Sequence, residues 1–330
     1  MQEILIESSQ AGQRMDKLLL KYLNKAGSGF IYKMLRKKNI LLNDKKASGS
    51  EMLVAGDQIK LYLSDETINK FREDCDPVVL SKLKIPPIVY EDQNILLFDK
   101  PKNLLTQKTK EQDISLNEYL IQYLQETNAS FFEEYRFFHP SVCNRLDRNT
   151  SGIVLCAKTL LGAQTLSELL KSRNLHKYYL CIVEGVVNDC ASIDGYLKKD
   201  EKTNKVSVLK SSQVSSKEAS AYSYIKTSYR PVKVYDNQFT LLEVLLITGK
   251  SHQIRAHLSS IGHPIIGDYK YGKKNVNQTY MELYGVKSQL LHAYRVVFPK
   301  LAGELSDLSF KEFKTEIPKE FKKIMEEELS

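Results

Sequence analysis

The chain has no run of about 18 consecutive apolar residues, the length that a membrane-spanning helix requires. Its opening, MQEILIESSQ, has neither the basic start nor the apolar centre of a secretory signal. Cysteine is scarce, with five residues and no C-x-x-C pair, so neither a disulfide framework nor a zinc site is favoured. We therefore expect a cytoplasmic protein with reduced thiols that is neither secreted nor inserted in a membrane.

The remaining composition is that of a globular protein long enough for two domains. Of 330 residues, 42% are hydrophobic and 27% are charged, which argues against intrinsic disorder. The net charge of +8 is concentrated near the start, because residues 14–60 contain eleven Lys or Arg against four Asp or Glu. A compact basic unit on a near-neutral chain indicates a contact with nucleic acid, although a solvated helical face would show the same excess.

The order of residues inside this basic segment favours nucleic-acid binding. Lys17, Lys21 and Lys25 recur every four residues and align on one face of a predicted helix, opposite an apolar face. After the Gly-Ser-Gly break at 27–29, a second short helix is predicted over residues 30–37. Short strands separated by turns are predicted at residues 40–42, 52–54 and 59–63.

These spacings resemble the small RNA-binding module first seen in ribosomal protein S-four. The shared motifs are R-x-D-K-L at 14–18, K-x-L-R-K-K-x-I-x-L-N at 33–43 and A-G-D-x-I at 55–59. The resemblance implies a small α/β domain that presents its basic face to structured RNA. The phosphate contacts that it implies are Arg14, Lys17, Lys21, Arg36, Lys37 and Lys38. Contacts of this kind position RNA without reading its sequence.

A polar, charged stretch separates this unit from the rest of the chain. We predict an RNA-binding domain over residues 1–63, a linker over 64–84 and a second domain over 85–330. In the second domain, strands are predicted at 88–91, 95–98, 153–157, 178–184, 239–247 and 290–298, and helices at 116–124, 160–171 and 252–260. Because strands and helices do not alternate regularly, an α+β domain with a mixed, largely antiparallel sheet is favoured over a doubly wound one. Residues 198–218 are predicted to form an exposed hairpin or loop.

Motifs that would indicate a nucleotide or a metal are incomplete in this sequence. The G-K-S run at 249–251 matches the end of a phosphate-binding loop, but Val244 stands where that loop requires glycine. His252 and His257 are five residues apart, whereas a helical zinc pair is four apart. We therefore expect no cofactor and no metal.

A more informative segment is N-R-L-D-R-N-T-S-G at 144–152, where an acid lies between two arginines just before an apolar strand. By residue type alone, Asp147 belongs either to a structural ion-pair turn or to a catalytic site. The motifs elsewhere in the second domain are D-K-P at 99–101, K-Y-Y-L-C-I-V-E-G at 177–185, G-K-S-H-Q-I-R-A-H-L at 249–258, G-H-P-I-I-G-D at 262–268 and L-H-A at 291–293. Together with R-L-D-x-x-T-S-G-I-V-L at 145–155, and in this order, they resemble those of the RluA-type pseudouridine synthases.

This resemblance implies an RNA isomerase with the pseudouridine synthase fold. Asp147 matches the catalytic aspartate, which attacks the sugar or removes a proton while the bond between uracil and ribose is broken and re-formed. Tyr179 matches the aromatic residue that packs against the target base and assists proton removal from carbon 5, and Arg255 matches the partner of the aspartate. Arg145 matches the side chain that enters the space left by the extruded base. Extrusion is required, because a stacked base cannot be detached and turned.

The implied function is an RNA pseudouridine synthase acting on large-subunit ribosomal RNA, since the S-four-like module commonly accompanies ribosomal-RNA members of the family. Two alternatives stay open, a transfer-RNA pseudouridine synthase and a non-catalytic RNA-binding factor of ribosome assembly. The expected partner is RNA, and the expected oligomeric state is a monomer.

The glycine often found after the K-P pair in this family is displaced here by Lys102 and Asn103. The sequence also departs from the family pattern at two positions near the catalytic motifs. Asn144 stands where histidine is common, and Cys181 stands where alanine is usual. These departures bear on substrate choice more than on activity, because none of them changes the acid, the aromatic residue or the arginine. The histidines within the motifs are interpreted as structural hydrogen-bonding residues, namely His252, His257, His263 and His292.

Overall fold

The first part of the chain forms a four-stranded antiparallel sheet that packs with two helices. The computed structural model describes residues 1–73, 83–200, 205–214, 221–235 and 238–327. The strands are β1 (Gln2–Leu5), β2 (Ile40–Leu42), β3 (Lys45–Lys46) and β4 (Gln58–Leu61), and the helices are α1 (Met15–Tyr22) and α2 (Ser28–Arg36). The strand order is β1, β4, β2, β3. Leu18 and Leu19 of α1 share one buried apolar cluster with Ile31 of α2 and Ile59 of β4.

Two local predictions for this unit are wrong. Residues 52–54 do not form a strand, and Met52 makes a single isolated bridge to Arg14. Of these three residues only Leu53 is buried, so the segment has one apolar anchor. Helix α1 ends at Tyr22, so Lys25 lies beyond the helix that was expected to align it with other lysines.

Part of the predicted linker is a helix that packs on this N-terminal unit. Helix α3 (Asp65–Phe71) begins after Ser64, whose hydroxyl accepts a hydrogen bond from Thr67 N at 3.2 Å. Ile68 is fully buried, and the ring of Phe71 lies 4.1 Å from that of Phe30 between centroids. These two apolar residues lie one helical turn apart and so face the same neighbour. Residues 74–82 of the predicted linker lie outside the described part of the chain.

The second sheet contains eleven strands within the described residues. They are β5 (Ile88–Glu91), β6 (Ile95–Lys100), β7 (Ser141–Val142), β8 (Ser151–Ala157), β9 (His176–Glu184), β10 (Ala191–Lys199), β11 (Val206–Leu209), β12 (Ser223–Tyr235), β13 (Phe239–Leu246), β14 (Leu291–Val297) and β15 (Glu312–Lys314). Their order is β11, β10, β12, β13, β9, β14, β8, β6, β5, with β15 beside β14 and β7 beside β8. Only β8 and β14 pair in parallel among these strands. The predicted α+β domain with a mixed, largely antiparallel sheet is therefore confirmed.

Six helices in the described part of the chain accompany this sheet. They are α4 (Leu116–Thr127), α5 (Phe131–Tyr135), α6 (Leu160–Ser172), α7 (Gln253–Ser260), α8 (Lys274–Tyr284) and α9 (Lys319–Glu327). A capping box is present at the start of α4, with Ser115 N donating to Glu118 Oε2 at 2.8 Å. None of the described helices combines the length and the apolar character needed to cross a bilayer.

The segment predicted as an exposed hairpin or loop at 198–218 contains the end of β10 and all of β11, which pair with each other. These strands are antiparallel, with Tyr196 opposite Leu209. Residues 201–204 and 215–220 of the predicted segment lie outside the described residues.

At Gly152 the parallel strands β8 and β14 lie too close together for a side chain. This residue has a φ of +113°, and a Cβ placed on it would lie 2.2 Å from the carbonyl oxygen of Ala293. Only glycine is compatible with both conditions. The close pairing fixes the start of β8, and with it the preceding turn that contains Asp147.

The N-terminal unit contacts the second domain along α6 and the segment after α5. Gln164 donates its side-chain amide to the carbonyl oxygen of Gly12 at 2.5 Å. The ring of Tyr22 stacks on Phe137 with centroids 5.9 Å apart. Lys21 Nζ lies 5.6 Å from the ring centroid of Phe138.

Candidate active site

A cavity of about 660 Å³ opens beside the turn before β8, the first part of β9 and the start of α7. Asp147, Tyr179 and Arg255 all line this cavity, and Arg145 lies at its exposed side. These residues come from three separate motifs of the sequence. The fold therefore brings together the four residues that were predicted to act on the target nucleotide.

Asp147 is held at the cavity wall by backbone contacts on both of its flanks. On one side, Thr106 Oγ1 donates to Leu146 O at 2.9 Å and accepts from Leu146 N at 3.2 Å. On the other side, Lys100 Nζ donates to Arg148 O at 3.2 Å. The Asp147 side chain is 24% exposed, so the carboxylate reaches the cavity while its backbone is fixed.

Lys100 is an unusual component of this support, because its side chain is fully buried. Its ammonium group also donates to the carbonyl oxygens of Pro101 and Leu104, each at 2.9 Å. Burial lowers the pKa of Lys100 to about 7, although the charges of Asp147 and Asp99 oppose this shift. The sequence analysis assigned no role to Lys100. The one feature of the sequence that could have indicated a role is its position in the D-K-P motif at 99–101.

Arg255 connects Asp147 to a second carboxylate. Its Nη1 donates to Asp147 Oδ2 at 2.7 Å, while Nε and Nη2 donate to Asp268 Oδ2 and Oδ1 at 2.7 and 2.9 Å. Burial alone would lower the pKa of Arg255, but the hydrogen bonds and charges of Asp268 and Asp147 raise it above its ordinary value. The guanidinium therefore stays charged, with its planar fork fixed by two partners.

Asp268 is a functional residue that sequence reasoning missed. Its side chain is fully buried, and Oδ1 also accepts from Lys270 N at 2.9 Å. Asn277 of α8 holds the adjacent backbone, donating to Asp268 O at 2.9 Å and accepting from Gly267 N at 2.8 Å. The signal in the sequence was the aspartate that ends the motif at 262–268.

Tyr179 lies on β9 with only 5% of its surface exposed. Burial raises the pKa of its hydroxyl above the ordinary value, and the nearby charge of Asp147 raises it further. The phenol is therefore neutral near pH 7 and offers the cavity an uncharged aromatic ring.

The wall of the cavity carries many positive charges. Besides Arg145 and Arg255, the cations that line it are Lys108, Arg173, Lys177 and Lys250. A cationic wall of this kind suits the phosphates on either side of a target nucleotide.

The residues predicted to contact RNA in the N-terminal unit lie apart from this cavity. Lys17, Arg36, Lys37 and Lys38 are exposed to solvent. Arg14 is also exposed and pairs with Asp16 at 2.9 Å. Lys21 differs from the others, because it is half-buried at the contact with Phe138 and donates to Gln13 Oε1 at 3.1 Å.

The described residues contain no group of three or more His, Cys, Asp or Glu side chains arranged to hold a metal ion. All four motif histidines make internal hydrogen bonds, and His252 Nδ1 lies 2.9 Å from the Tyr271 hydroxyl oxygen. His257 Nδ1 lies 2.8 Å from Thr227 Oγ1, His263 Nδ1 lies 2.9 Å from Glu184 O, and His292 Nδ1 lies 2.9 Å from Ser151 Oγ.

A carboxylate held by a buried arginine therefore lies beside a buried tyrosine in a cation-lined cavity. This arrangement suits an enzyme that acts on nucleic acid. The family model described as RNA pseudouridylate synthase matches residues 94–260. The chain therefore belongs to the RNA pseudouridylate synthase family, whose members are isomerases that convert uridine to pseudouridine in RNA.

Similar proteins span almost the whole chain. An RNA pseudouridine synthase of Mycoplasma genitalium, described as uncharacterized, is 31% identical over 323 residues, which are 96% of each chain. The ribosomal large subunit pseudouridine synthase C of Rickettsia bellii is 30% identical over 304 residues, covering 90% of this chain and 93% of the relative. Among solved structures, human RNA pseudouridylate synthase domain containing 4 is similar in fold, with a TM-score of 0.53 and 21% identity. That similarity covers 71% of this chain and 89% of the human one.

Proposed function

We propose that this chain isomerises specific uridines in large-subunit ribosomal RNA, with Asp147 as its catalytic carboxylate. The relatives that support this substrate are named ribosomal large subunit pseudouridine synthases, C in Rickettsia bellii and D in Borreliella burgdorferi. The observation that carries the catalytic assignment is the 2.7 Å ion pair between Asp147 and Arg255 in a cavity that Tyr179 also lines.

The proposed reaction begins with extrusion of the target uridine into the cavity. The bond between uracil N1 and ribose C1′ breaks, the base turns, and a bond between C5 and C1′ forms. One proton leaves carbon 5 and one is gained at N1, so the reaction needs no net oxidation and no group donor. The Asp147 carboxylate starts the cleavage, either by attacking the sugar or by removing one of its protons.

Arg255 and Asp268 support this role by fixing the orientation of the Asp147 carboxylate. Because Arg255 is anchored to buried Asp268 at two points, its third donor is directed at Asp147 before substrate binds. Such preorganisation reduces the rearrangement that the site needs during the reaction.

Tyr179 is proposed to pack its ring against the extruded uracil. Stacking of a base on an aromatic side chain contributes about 1–3 kcal/mol. Since the raised pKa keeps its hydroxyl protonated near pH 7, any part that Tyr179 plays in moving the carbon-5 proton starts from the neutral phenol.

Arg145 and the N-terminal unit are proposed to hold the rest of the RNA. Arg145 is exposed beside the cavity and is free to enter the gap left in the RNA helix. The exposed cations Lys17, Arg36, Lys37 and Lys38 are proposed to contact phosphates of a structured RNA segment.

Site-resolved mapping of pseudouridine tests this proposal. Unmodified ribosomal and transfer RNA transcripts are incubated with wild-type protein, with the Asp147→Asn variant and with Asp307→Asn, which alters an exposed carboxylate. We expect new pseudouridine in large-subunit RNA with wild type and Asp307→Asn only, while Asp147→Asn binds RNA with near-normal affinity. Pseudouridine in transfer RNA alone would show that transfer RNA, and not ribosomal RNA, is the substrate. Turnover by Asp147→Asn would show that Asp147 is not the catalytic carboxylate. RNA binding without product from any protein, in transcripts and in assembled subunits, would favour a binding factor.

A further inference from the structure

His252 differs from the other motif histidines in its backbone and its position. It is the residue before α7 and has a left-handed conformation, with φ 56° and ψ 15°. This conformation is uncommon for residues other than glycine, although asparagine, aspartate and histidine adopt it more often than the rest, and such residues recur at functional sites. The side chain lines the same cavity as Asp147 and is 21% exposed.

The hydrogen bonds of Tyr271 favour one ring nitrogen of His252 as the position of the proton. The Tyr271 hydroxyl oxygen accepts a hydrogen bond from Val206 N at 3.1 Å. Its own proton is then available to His252 Nδ1, which lies 2.9 Å away. With Nδ1 as the acceptor, the proton of the neutral ring lies on Nε2.

The protonated nitrogen is the one nearest the catalytic carboxylate. His252 Nε2 lies 4.0 Å from Asp147 Oδ2, which is too long for a hydrogen bond. That oxygen already accepts from Arg255 Nη1 at 2.7 Å. Among the described residues, no protein atom accepts a hydrogen bond from His252 Nε2.

The surroundings of His252 favour the uncharged ring. Burial lowers its pKa, and the charges of Arg255 and Lys270 add to this effect, while those of Asp147 and Asp268 oppose it. Tyr271 is a further titratable neighbour and contributes the hydrogen bond to Nδ1. The ring is therefore a neutral donor near pH 7, with its proton directed by Tyr271.

We propose that His252 is a further substrate-binding residue of the active site, which donates its Nε2 proton to an oxygen of the extruded uridine beside Asp147. The oxygen is a carbonyl of uracil or a hydroxyl of ribose, both of which accept hydrogen bonds. This role rests on the proposed function. It adds to that function a hydrogen-bond donor, His252 Nε2, that recognises the target nucleotide.

Two substitutions at His252 separate the backbone requirement from the donor. His252→Asn retains a residue that tolerates the left-handed conformation but has no donor at the Nε2 position. His252→Gln places an amide nitrogen near the Nε2 position. His263→Asn is the matched control, because His263 bonds a backbone carbonyl and does not line the cavity.

We expect His252→Asn to reduce kcat/KM at least about tenfold, while His252→Gln recovers part of the loss and His263→Asn resembles wild type. The assay is single-turnover and steady-state pseudouridine formation on the substrate RNA, with thermal unfolding as the measure of folding. Wild-type activity in His252→Asn would overturn the proposal while leaving the proposed function intact. Absence of product from wild type would remove the proposed function and this proposal with it.

A spectroscopic measurement tests the tautomer without relying on activity. In protein labelled with ¹⁵N-histidine, the His252 signals are assigned as those missing from His252→Asn. We expect wild type to show a protonated Nε2 and an unprotonated Nδ1, and Tyr271→Phe to lose this preference. A protonated Nδ1 in wild type would contradict the proposed direction of the donor.

Discussion

Arg255 Nη1 donates to Asp147 Oδ2 at 2.7 Å, across 108 positions of the sequence. The same guanidinium holds Asp268, whose side chain is fully buried, through two further hydrogen bonds. One cation thus bridges a buried carboxylate and a carboxylate at the cavity. A buried arginine that lacks a charged partner is strongly destabilising, so Asp268 allows Arg255 to face Asp147 from inside the protein.

Replacing Asp268 by asparagine should therefore affect both stability and turnover. Asp268→Asn removes the buried charge and presents an amide N–H₂ group to the guanidinium, so we expect a loss of about 3 kcal/mol in the free energy of unfolding. We also expect kcat to fall at least about tenfold, because Arg255 is no longer directed at Asp147. Denaturant unfolding and pseudouridine formation measure the two effects, with Asp307→Asn as an exposed control. Equal unfolding midpoints for the two variants would contradict the structural role assigned to Asp268.

The hydroxyl of Tyr179 can be separated from its ring. Tyr179→Phe retains the aromatic surface, so we expect RNA affinity within about threefold of wild type. If the hydroxyl takes part in moving the carbon-5 proton, kcat should fall about 100-fold. Tyr235→Phe is a suitable control, since Tyr235 is also 5% exposed but does not line the cavity. Unchanged turnover in Tyr179→Phe would limit this residue to stacking.

The exposed cations of the N-terminal unit should control the salt dependence of RNA binding. Changing Arg36, Lys37 and Lys38 to glutamine should weaken binding and reduce the slope of log K against log salt by about 2–3, because fewer counterions are released. The control variant changes three exposed lysines of the second domain to glutamine, and so removes the same total charge. These lysines are Lys274, Lys300 and Lys319. If both triple variants reduce the slope equally, the N-terminal unit is not the docking surface.

Gly152 should be among the least replaceable residues of the second domain. Gly152→Ala combines a positive φ with a Cβ 2.2 Å from Ala293 O, and we expect a loss of about 3–5 kcal/mol in the free energy of unfolding. Gly262→Ala is the matched control, because its φ is +90° and no atom lies within 4 Å of the added Cβ. The control should lose only about 1–2 kcal/mol. If the two variants lose similar amounts of free energy of unfolding, the close approach of β8 and β14 at Gly152 does not contribute to stability.

Several elements of the fold had no clear pattern in the sequence. Helix α8 buries only Asn277 and Tyr280, so its apolar stripe is too short to indicate a helix. Helix α3 was included in a predicted linker, because Ile68 and Phe71 are its main apolar residues and only their packing on the N-terminal unit makes them part of a core. In contrast, strands such as β8 were predicted closely, since all seven of its residues are apolar or small and buried.

The amino-acid sequence by itself determined the helices and strands with a clear local pattern, the basic character of the first unit and the turn that carries Asp147. These are local properties, because periodicity, capping and turn residues act over a few positions of the chain. Only the tertiary structure decided that Arg255 and Asp268 meet at Asp147, that Lys21 faces Phe138, and that Tyr271 orients His252. Such contacts depend on strand order, with β14 between β8 and β9, and no local pattern specifies which distant side chains that order brings within hydrogen-bonding distance.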